Sequence, residues 1–182
     1  MIAITPKSMD ASTRKAKETY QRLYTVCVAA GTGSGRYFLD AVLLEGGKAI
    51  ATDGHRLHYA SSDGMGIPDG LYKIAKITKT SIILDLDTDH KFPQWERVVP
   101  KIEDMEIVTT LKQDEEFYTA VSVSMAELVR KGAVVNVGFL LDLATAKTAW
   151  TIYVSKENAN ATPVLAIAEN NDVTAVIMPI DA

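Results

Sequence analysis

The chain has 182 residues, which is enough for one domain or for two small ones. Hydrophobic residues make up 47% and charged residues 23%, a balance typical of folded globular proteins that excludes a disordered or low-complexity chain. It contains no run of about 18 apolar residues, no signal-like N-terminal segment and a single cysteine, Cys27. These features predict a cytoplasmic protein without a membrane span.

The formal net charge of −4 is unevenly distributed along the chain. Residues 1–36 carry six basic and two acidic side chains, so they hold a charge of +4 and leave −8 for the rest. A basic surface on an acidic body attracts a polyanion such as DNA. A solvated helix face rich in lysine is the alternative explanation.

The first half of the chain predicts a helix followed by a series of strands. A short strand at Ile2 to Thr5 precedes an amphipathic helix over residues 11–30, with Asp10 or Ser12 as its N-cap and Gly31 as its C-cap. Gly46-Gly47 suits a two-residue hairpin turn. The strands predicted around that turn and beyond the glycine- and proline-rich loop at 61–70 are Tyr37 to Glu45, Lys48 to Ala60, Leu71 to Ile77 and Ser81 to Leu86.

The second half begins after a proline-bounded extended stretch from Lys91 to Pro100. We expect one subdomain at residues 1–92, a connector at 93–101 and a second subdomain at 102–182. Ser124 and Glu127 form a capping box for a short helix that Gly132 ends, and a further helix is expected over Phe139 to Ala149. The strands predicted here are Glu106 to Leu111, Glu116 to Val123, Val134 to Val137, Trp150 to Ser155, Pro163 to Glu169 and Val173 to Ile180. The pattern predicts an α+β protein of mostly antiparallel sheets with two or three helices on one face.

Residues with catalytic potential are few. Asp53, His55 and His58 lie within six residues and could serve a metal-dependent hydrolase, but on a strand residues 55 and 58 would face opposite ways. The glycine-rich run from Gly31 to Arg36 lacks the spacing of a phosphate-binding loop. The sequence also offers no plausible pair of a catalytic nucleophile and a general base. Alternating aspartates at 85, 87 and 89 are better explained by a solvated turn than by a cation site. We therefore expect no catalysis, cofactor or bound metal.

Three separated segments carry a family resemblance. They are Arg36 to Glu45 continuing into Ala51-Thr52-Asp53-Gly54-His55-Arg56-Leu57, then Phe92 to Lys101, and finally Ala175 to Ile180. In this order they resemble the β sliding clamp of bacterial DNA polymerase III, and Gly138 to Leu143 is similar to the start of a helix in that family's third domain. The resemblance covers most of the chain, with gaps.

The resemblance implies a pocket that receives a short linear motif of DNA polymerase or of other replication proteins. Apolar side chains would accept leucine or phenylalanine anchors, a methionine would adapt to different partners, and His55, Arg56 and Arg97 would bind polar groups of the peptide. The implied pocket residues are Leu39, Thr52, Gly54, His55, Arg56, Leu57, Pro93, Arg97, Val98, Val176 and Met178.

The sequence also departs from the family pattern. Clamps of this family have three similar domains and form a ring of two chains, whereas this chain resembles only the second and third domains in shortened form. We expect the first subdomain to lack its usual second helix and the second subdomain its usual first helix. A ring would then need more subunits, for example three, in head-to-tail contact.

Two functional hypotheses follow from the resemblance. The first is a processivity or scaffold protein that binds peptide motifs and encircles double-stranded DNA, without sequence preference, as a homo-oligomer. The second is a monomer or dimer that sequesters the partners of a clamp without encircling DNA. The candidate DNA-contacting residues are Arg14, Lys15, Lys17, Arg22, Arg36 and Tyr37.

Overall fold

The computed structural model describes residues 1–5, 14–31, 39–112, 117–169 and 172–180. It has two compact units, Met1–Gln94 (unit 1) and Trp95–Ala182 (unit 2). Each unit contains an antiparallel sheet and at least one α helix, so the predicted α+β class is confirmed. Within these described ranges, every helix is too short or too polar to traverse a bilayer.

Unit 1 contains a sheet in the order β1-β6-β5-β2-β3-β4 and a helix, α1. The Gly46-Gly47 turn forms as predicted, with φ angles of 57° and 78° that match a two-residue hairpin turn between β2 and β3. The bounds are β1 Ile2–Ile4, α1 Arg14–Cys27, β2 Ala41–Glu45, β3 Lys48–Thr52, β4 Arg56–Ser61, β5 Gly70–Ile77 and β6 Ile82–Asp87.

The predicted strand Lys48 to Ala60 is wrong as a single element. It divides into β3 and β4, which pair antiparallel with Thr52 opposite Leu57. Residues 53–55 form the turn between them. Asp-Gly at 53–54 is a turn signal that interrupts the β-forming residues on either side, so the turn has a clear local cause.

Helix α1 packs its apolar stripe on β3 and β4. Ala16, Tyr20, Leu23 and Cys27 are buried as their spacing predicts. The predicted C-cap at Gly31 is wrong, because the helix ends at Cys27. Gly31 lies beyond the turn that follows the helix, and its φ angle is outside the left-handed region. The predicted start of the helix, with Asp10 or Ser12 as cap, lies outside the described residues.

The stretch from Lys91 to Pro100 was predicted to be extended, and this prediction is wrong for its middle part. A 3₁₀ helix occupies Trp95–Val98, and its turn buries Trp95. Proline restricts the residue immediately before it, so Pro93 and Pro100 constrain residues 92 and 99 and leave residues 94–98 free to turn. A second 3₁₀ helix follows at Ile102–Asp104.

Unit 2 contains a sheet in the order β10-β9-β8-β7 with helices α2 and α3 between β7 and β8. The three final strands confirm their predictions to within three residues at each end, and most of their apolar residues are buried. The bounds are β7 Met105–Leu111, α2 Phe117–Arg130, α3 Val137–Asp142, a 3₁₀ helix at Leu143–Ala146, β8 Trp150–Ser155, β9 Val164–Ala168 and β10 Val173–Ile177.

Helix α2 contradicts the strand predicted at Glu116 to Val123 and the capping box at Ser124. Its buried residues Phe117, Val121, Ser124 and Leu128 recur at three and four positions, which is helical spacing. Ser124 lies inside the helix, where its Oγ donates to the carbonyl of Ala120 at 2.8 Å. The packed stripe therefore outweighs the strand propensity of the β-branched and aromatic residues.

Gly132 follows α2 with a φ of 89°, so its predicted role in ending the helix is confirmed. The predicted strand Val134 to Val137 is wrong, because Asn136 instead caps α3 by accepting a hydrogen bond from the Gly138 amide at 2.9 Å. Helices α2 and α3 both lie between β7 and β8.

Candidate functional site

The strongest candidate site in unit 1 is the turn Thr52–Leu57 between β3 and β4, which we call the β3–β4 turn. The Asp53 carboxylate accepts hydrogen bonds from the backbone amides of His55 and Arg56, both at 2.9 Å. The Thr52 hydroxyl accepts from the Gly54 amide at 3.0 Å and donates to the Arg56 carbonyl at 2.5 Å. Gly54 has a φ of 91°, which favours glycine. Three successive amides thus have side-chain acceptors, and the turn has one defined shape.

Arg56 joins this turn to the end of α1. Its Nε donates to the second oxygen of Asp53 at 3.0 Å, and its Nη2 donates to the Val28 carbonyl at 2.9 Å. A guanidinium at the C-terminus of a helix also interacts favourably with the helix dipole. The sequence suggested Arg56 as a peptide-binding group, but in the structure its guanidinium already serves the fold.

Leu39 lies beside the turn. A Cβ built on Gly54 would lie 3.9 Å from Leu39 Cδ1, so the glycine backbone and the leucine side chain are neighbours. Leu39 and Leu57 are both buried, whereas Gly54 and His55 are exposed. A ligand that approaches this turn therefore meets the backbone of Gly54 and the side chain of His55 first.

The histidines near the turn have separate environments. His58 is fully buried on β4, and its Nδ1 lies 2.8 Å from the Thr25 carbonyl of α1, to which it donates. His55 is exposed in the turn, and Asp53 is engaged by Arg56. The assumption that residue 55 lies on a strand is wrong. Over the ranges that the structure describes, no three potential ligands stand close enough to hold a metal ion.

The candidate residues of unit 2 lie on two elements. Arg97 and Val98 are exposed on the 3₁₀ helix Trp95–Val98, where buried Trp95 anchors the turn. Val176 is buried in β10, and Met178 is half-buried just after that strand. In unit 1, Pro93 is exposed near the end of the unit. Arg97, Val98 and Met178 thus remain accessible to a ligand, while Val176 supports the sheet.

The candidate DNA-contacting residues on α1 differ in their freedom. Lys15 and Lys17 are exposed. Arg14 forms an exposed ion pair with Glu18 at 2.7 Å, and Arg22 donates to the Asp63 carbonyl at 2.6 Å. The two lysines are therefore the most available cations of this set. Arg36 and Tyr37 lie outside the described residues.

Two other groups considered from the sequence have structural explanations. Burial of Cys27 raises the pKa of its thiol to about 12, so little nucleophilic thiolate exists near neutral pH. Hydrogen bonds from the Asp89 amide and from His90 hold the pKa of the Asp87 carboxyl below its ordinary value. This aspartate closes the polar turn after β6.

The position of Asp53 in the site was missed by sequence reasoning, which treated it only as a metal ligand. An aspartate directly before glycine in a turn commonly accepts hydrogen bonds from the amides two and three residues later. That local signal, Asp53-Gly54, is sufficient to predict the role.

Comparison with known proteins supports a clamp-like fold. No protein-family model matches the sequence, and neither does any curated protein. Among solved structures, the DNA polymerase sliding clamp from Pseudomonas aeruginosa matches with a TM-score of 0.58 and 18% identity, over 98% of this chain and 66% of that one. The clamp from Bartonella birtlesii bound to griselimycin matches with a TM-score of 0.57 and 18% identity, over 100% of this chain and 66% of that one. The DNA polymerase III β subunit from Thermotoga maritima matches with a TM-score of 0.56 and 11% identity, over 98% of this chain and 65% of that one.

The chain therefore has the fold of bacterial sliding clamps, as the sequence resemblance predicted. It spans just under two thirds of the length of the clamps it matches.

The Arg56 contacts predict a large effect on stability. Arg56→Ala removes the guanidinium that donates to Asp53 Oδ2 and to the Val28 carbonyl, in a site where the arginine and aspartate side chains are only 10% and 18% exposed. We expect the free energy of unfolding to fall by about 2–4 kcal/mol, measured by urea denaturation.

The matched control for this variant is Arg130→Ala. Arg130 pairs with Glu127 at 2.6 Å, but the two side chains are 66% and 36% exposed. We expect a loss below about 1 kcal/mol. Equal losses for the two alanine variants would contradict the structural role assigned to Arg56.

Proposed function

We propose that this protein is a clamp-like processivity or scaffold factor that binds linear peptide motifs of DNA polymerase or other replication proteins. The observation that carries the proposal is the clamp fold, which extends over 98% of the chain in the comparison with the Pseudomonas aeruginosa clamp. The rigid β3–β4 turn adds support, because a preformed surface lowers the ordering cost of binding an extended peptide.

The proposed peptide-binding residues divide into contact residues and positioning residues. Contact residues are those whose atoms are accessible in their own unit: Gly54, His55 and Pro93 in unit 1, and Arg97, Val98 and Met178 in unit 2. Buried Leu39 gives an apolar base beside Gly54. The residues proposed to hold these surfaces in place are Thr52, Arg56, Leu57 and Val176.

The chemistry of these surfaces suits apolar anchors with modest affinity. Each buried leucine or phenylalanine of a peptide contributes roughly 1.5–3 kcal/mol. Two or three such anchors, less the cost of ordering the peptide, give a Kd of about micromolar. A partner held this weakly exchanges readily, as a shared scaffold requires.

DNA contact is proposed through the exposed face of α1. Lys15 and Lys17 lie near opposite edges of this face, and such cations bind phosphates without reading sequence. Encirclement would require several copies. In unit 1, β1 pairs only with β6, and in unit 2, β7 pairs only with β8, as far as the described residues show. An unpaired strand edge is a site where another copy of the chain could add.

A non-encircling protein that sequesters clamp partners is the second candidate function. The observation in its favour is that two of the candidate DNA-contacting cations on α1 are engaged within unit 1, Arg14 by Glu18 and Arg22 by the Asp63 carbonyl. In this alternative, the chain keeps the proposed peptide-binding surfaces but does not encircle DNA.

The peptide-binding proposal predicts a specific loss on Val98→Asp. An acetylated peptide with leucine and phenylalanine anchors should bind the wild-type chain with a Kd of about micromolar, measured by fluorescence anisotropy. A carboxylate at Val98, whose residue is 41% exposed, opposes burial of an apolar anchor and should raise the Kd by about tenfold or more.

The control is Ile107→Asp, which places the same charge on β7 of the same unit at a residue that is 62% exposed. This variant should bind the peptide within about twofold of wild type, a difference of about 0.4 kcal/mol. His55→Ala tests unit 1 in the same titration. The proposal fails if wild type does not bind the peptide, or if the Val98 and Ile107 variants bind it equally well.

The DNA-binding proposal predicts a salt dependence that involves Lys15 and Lys17. Replacing both with glutamine should reduce the slope of log K against log salt concentration by about 1.8, since each phosphate contact contributes about 0.9. Lys79→Gln, at an exposed position in the turn between β5 and β6, should leave the slope unchanged. Absence of salt-dependent DNA binding by wild type, together with a monomeric solution mass, would reject encirclement and favour sequestration.

A further inference from the structure

A cleft of about 400 Å³ lies within unit 1, between the end of α1 and the middle of β5. Strand β5 bulges here, because Ile74 pairs with Leu84 and Lys76 with Ile83, which leaves Ala75 as an extra residue. Bulges commonly redirect side chains next to binding sites. The cleft volume falls in the range of small-ligand sites, which is about 300–1,000 Å³.

Asp40 supplies the cleft with a carboxylate. Its backbone carbonyl accepts a hydrogen bond from the Ile74 amide at 2.9 Å, which fixes the residue just before β2. Its Oδ2 lies 3.6 Å from Lys73 Nζ, and its Oδ1 is buried with no hydrogen-bond partner. A buried acceptor without a partner is uncommon in native proteins and calls for a donor.

Three carbonyls at the end of α1, beside the cleft, already have donors. At the end of α1, the carbonyl of Tyr24 accepts from the Val28 amide, that of Cys27 from the Ala30 amide, and that of Val28 from Arg56. Asp40 Oδ1, in contrast, is a buried acceptor without a donor, and a ligand in the cleft would supply one.

The walls of the cleft determine what else the ligand contains. Tyr24, Val28 and Ile77 contribute aromatic and aliphatic surface around the carboxylate. Lys76 also lines the cleft, but this residue is exposed and solvated, which screens its charge. A donor that is cationic, weakly hydrated and attached to an aliphatic stem fits this combination, and the guanidinium of arginine has these properties.

We propose that this cleft binds the arginine side chain of a peptide partner, with its guanidinium donating to Asp40 Oδ1. Gly31 lines the cleft, and a Cβ built on it would lie 3.4–3.6 Å from atoms of Leu39 and Asp53, so the cleft adjoins the β3–β4 turn. That the arginine belongs to a peptide partner rests on the proposed function. Binding of arginine by the cleft is tested separately, without a peptide.

The test is a titration of the ¹⁵N-labelled full chain with N-acetyl-arginine N-methylamide, followed by NMR. The amide signals of Gly31, Asp40 and Ala75 should shift in a saturable way with a millimolar Kd. The citrulline analogue has the same shape without the charge, and it should bind at least about tenfold more weakly. Comparable binding of both compounds, or shifts confined to other residues, would overturn the proposal even if no variant were made.

Two variants sharpen this test. Asp40→Asn should remove the preference for arginine over citrulline, while Glu45→Gln, which changes an exposed carboxylate at the far end of β2, should preserve it. A preference that persists in Asp40→Asn would refute the role of the carboxylate. The arginine titration uses no apolar peptide, so its failure would not affect the outcome of the peptide titration with Val98→Asp. Conversely, a failure of peptide binding would not affect the outcome of the arginine titration.

Discussion

The contacts of Asp53 and Arg56 determine the shape of the β3–β4 turn, and the proposed function depends on that shape. One carboxylate oxygen accepts the amides of residues 55 and 56, and the other accepts Arg56 Nε. The same guanidinium reaches the Val28 carbonyl at the end of α1. A turn with so many charge-assisted hydrogen bonds has few alternative conformations, because each alternative would leave a partly buried charge without a partner.

This constraint separates residues that hold the surface from residues that can touch a ligand. Thr52, Arg56 and Leu57 have their polar atoms or side chains engaged within unit 1. Gly54 and His55 remain exposed above Leu39. A preformed surface of this kind supports weak, exchangeable binding of an extended peptide, since little conformational entropy is lost by the protein on association.

Much of the fold could be predicted from local patterns in the sequence. The Gly46-Gly47 hairpin and the end of α2 at Gly132 require left-handed φ angles, and such positions are recognisable because glycine adopts them readily. Helix α2 could not be predicted in the same way. Its residues 117–123 favour a strand, and only the packing of Phe117, Val121 and Leu128 selects the helix.

For the candidate site, the sequence resemblance identified the segment but not the role of each residue in it. Arginine is usually exposed, so Arg56 was expected to face a ligand. Its actual partners are Asp53, three residues away, and Val28, twenty-eight residues away, and only the second contact depends on the tertiary fold. The exposed positions of Gly54 and His55 follow from the turn that Asp53 stabilises.

The most direct test of this account is the rate of amide hydrogen exchange at Gly54, His55 and Arg56, measured by NMR. Each of these amides donates to a side-chain oxygen of Thr52 or Asp53. The account predicts exchange on the order of 100-fold slower than for an unstructured peptide, as expected for amides held in a stable, cooperative unit. Exchange of all three at the rate of an unstructured peptide would show that the turn is not held in one conformation and would contradict the account.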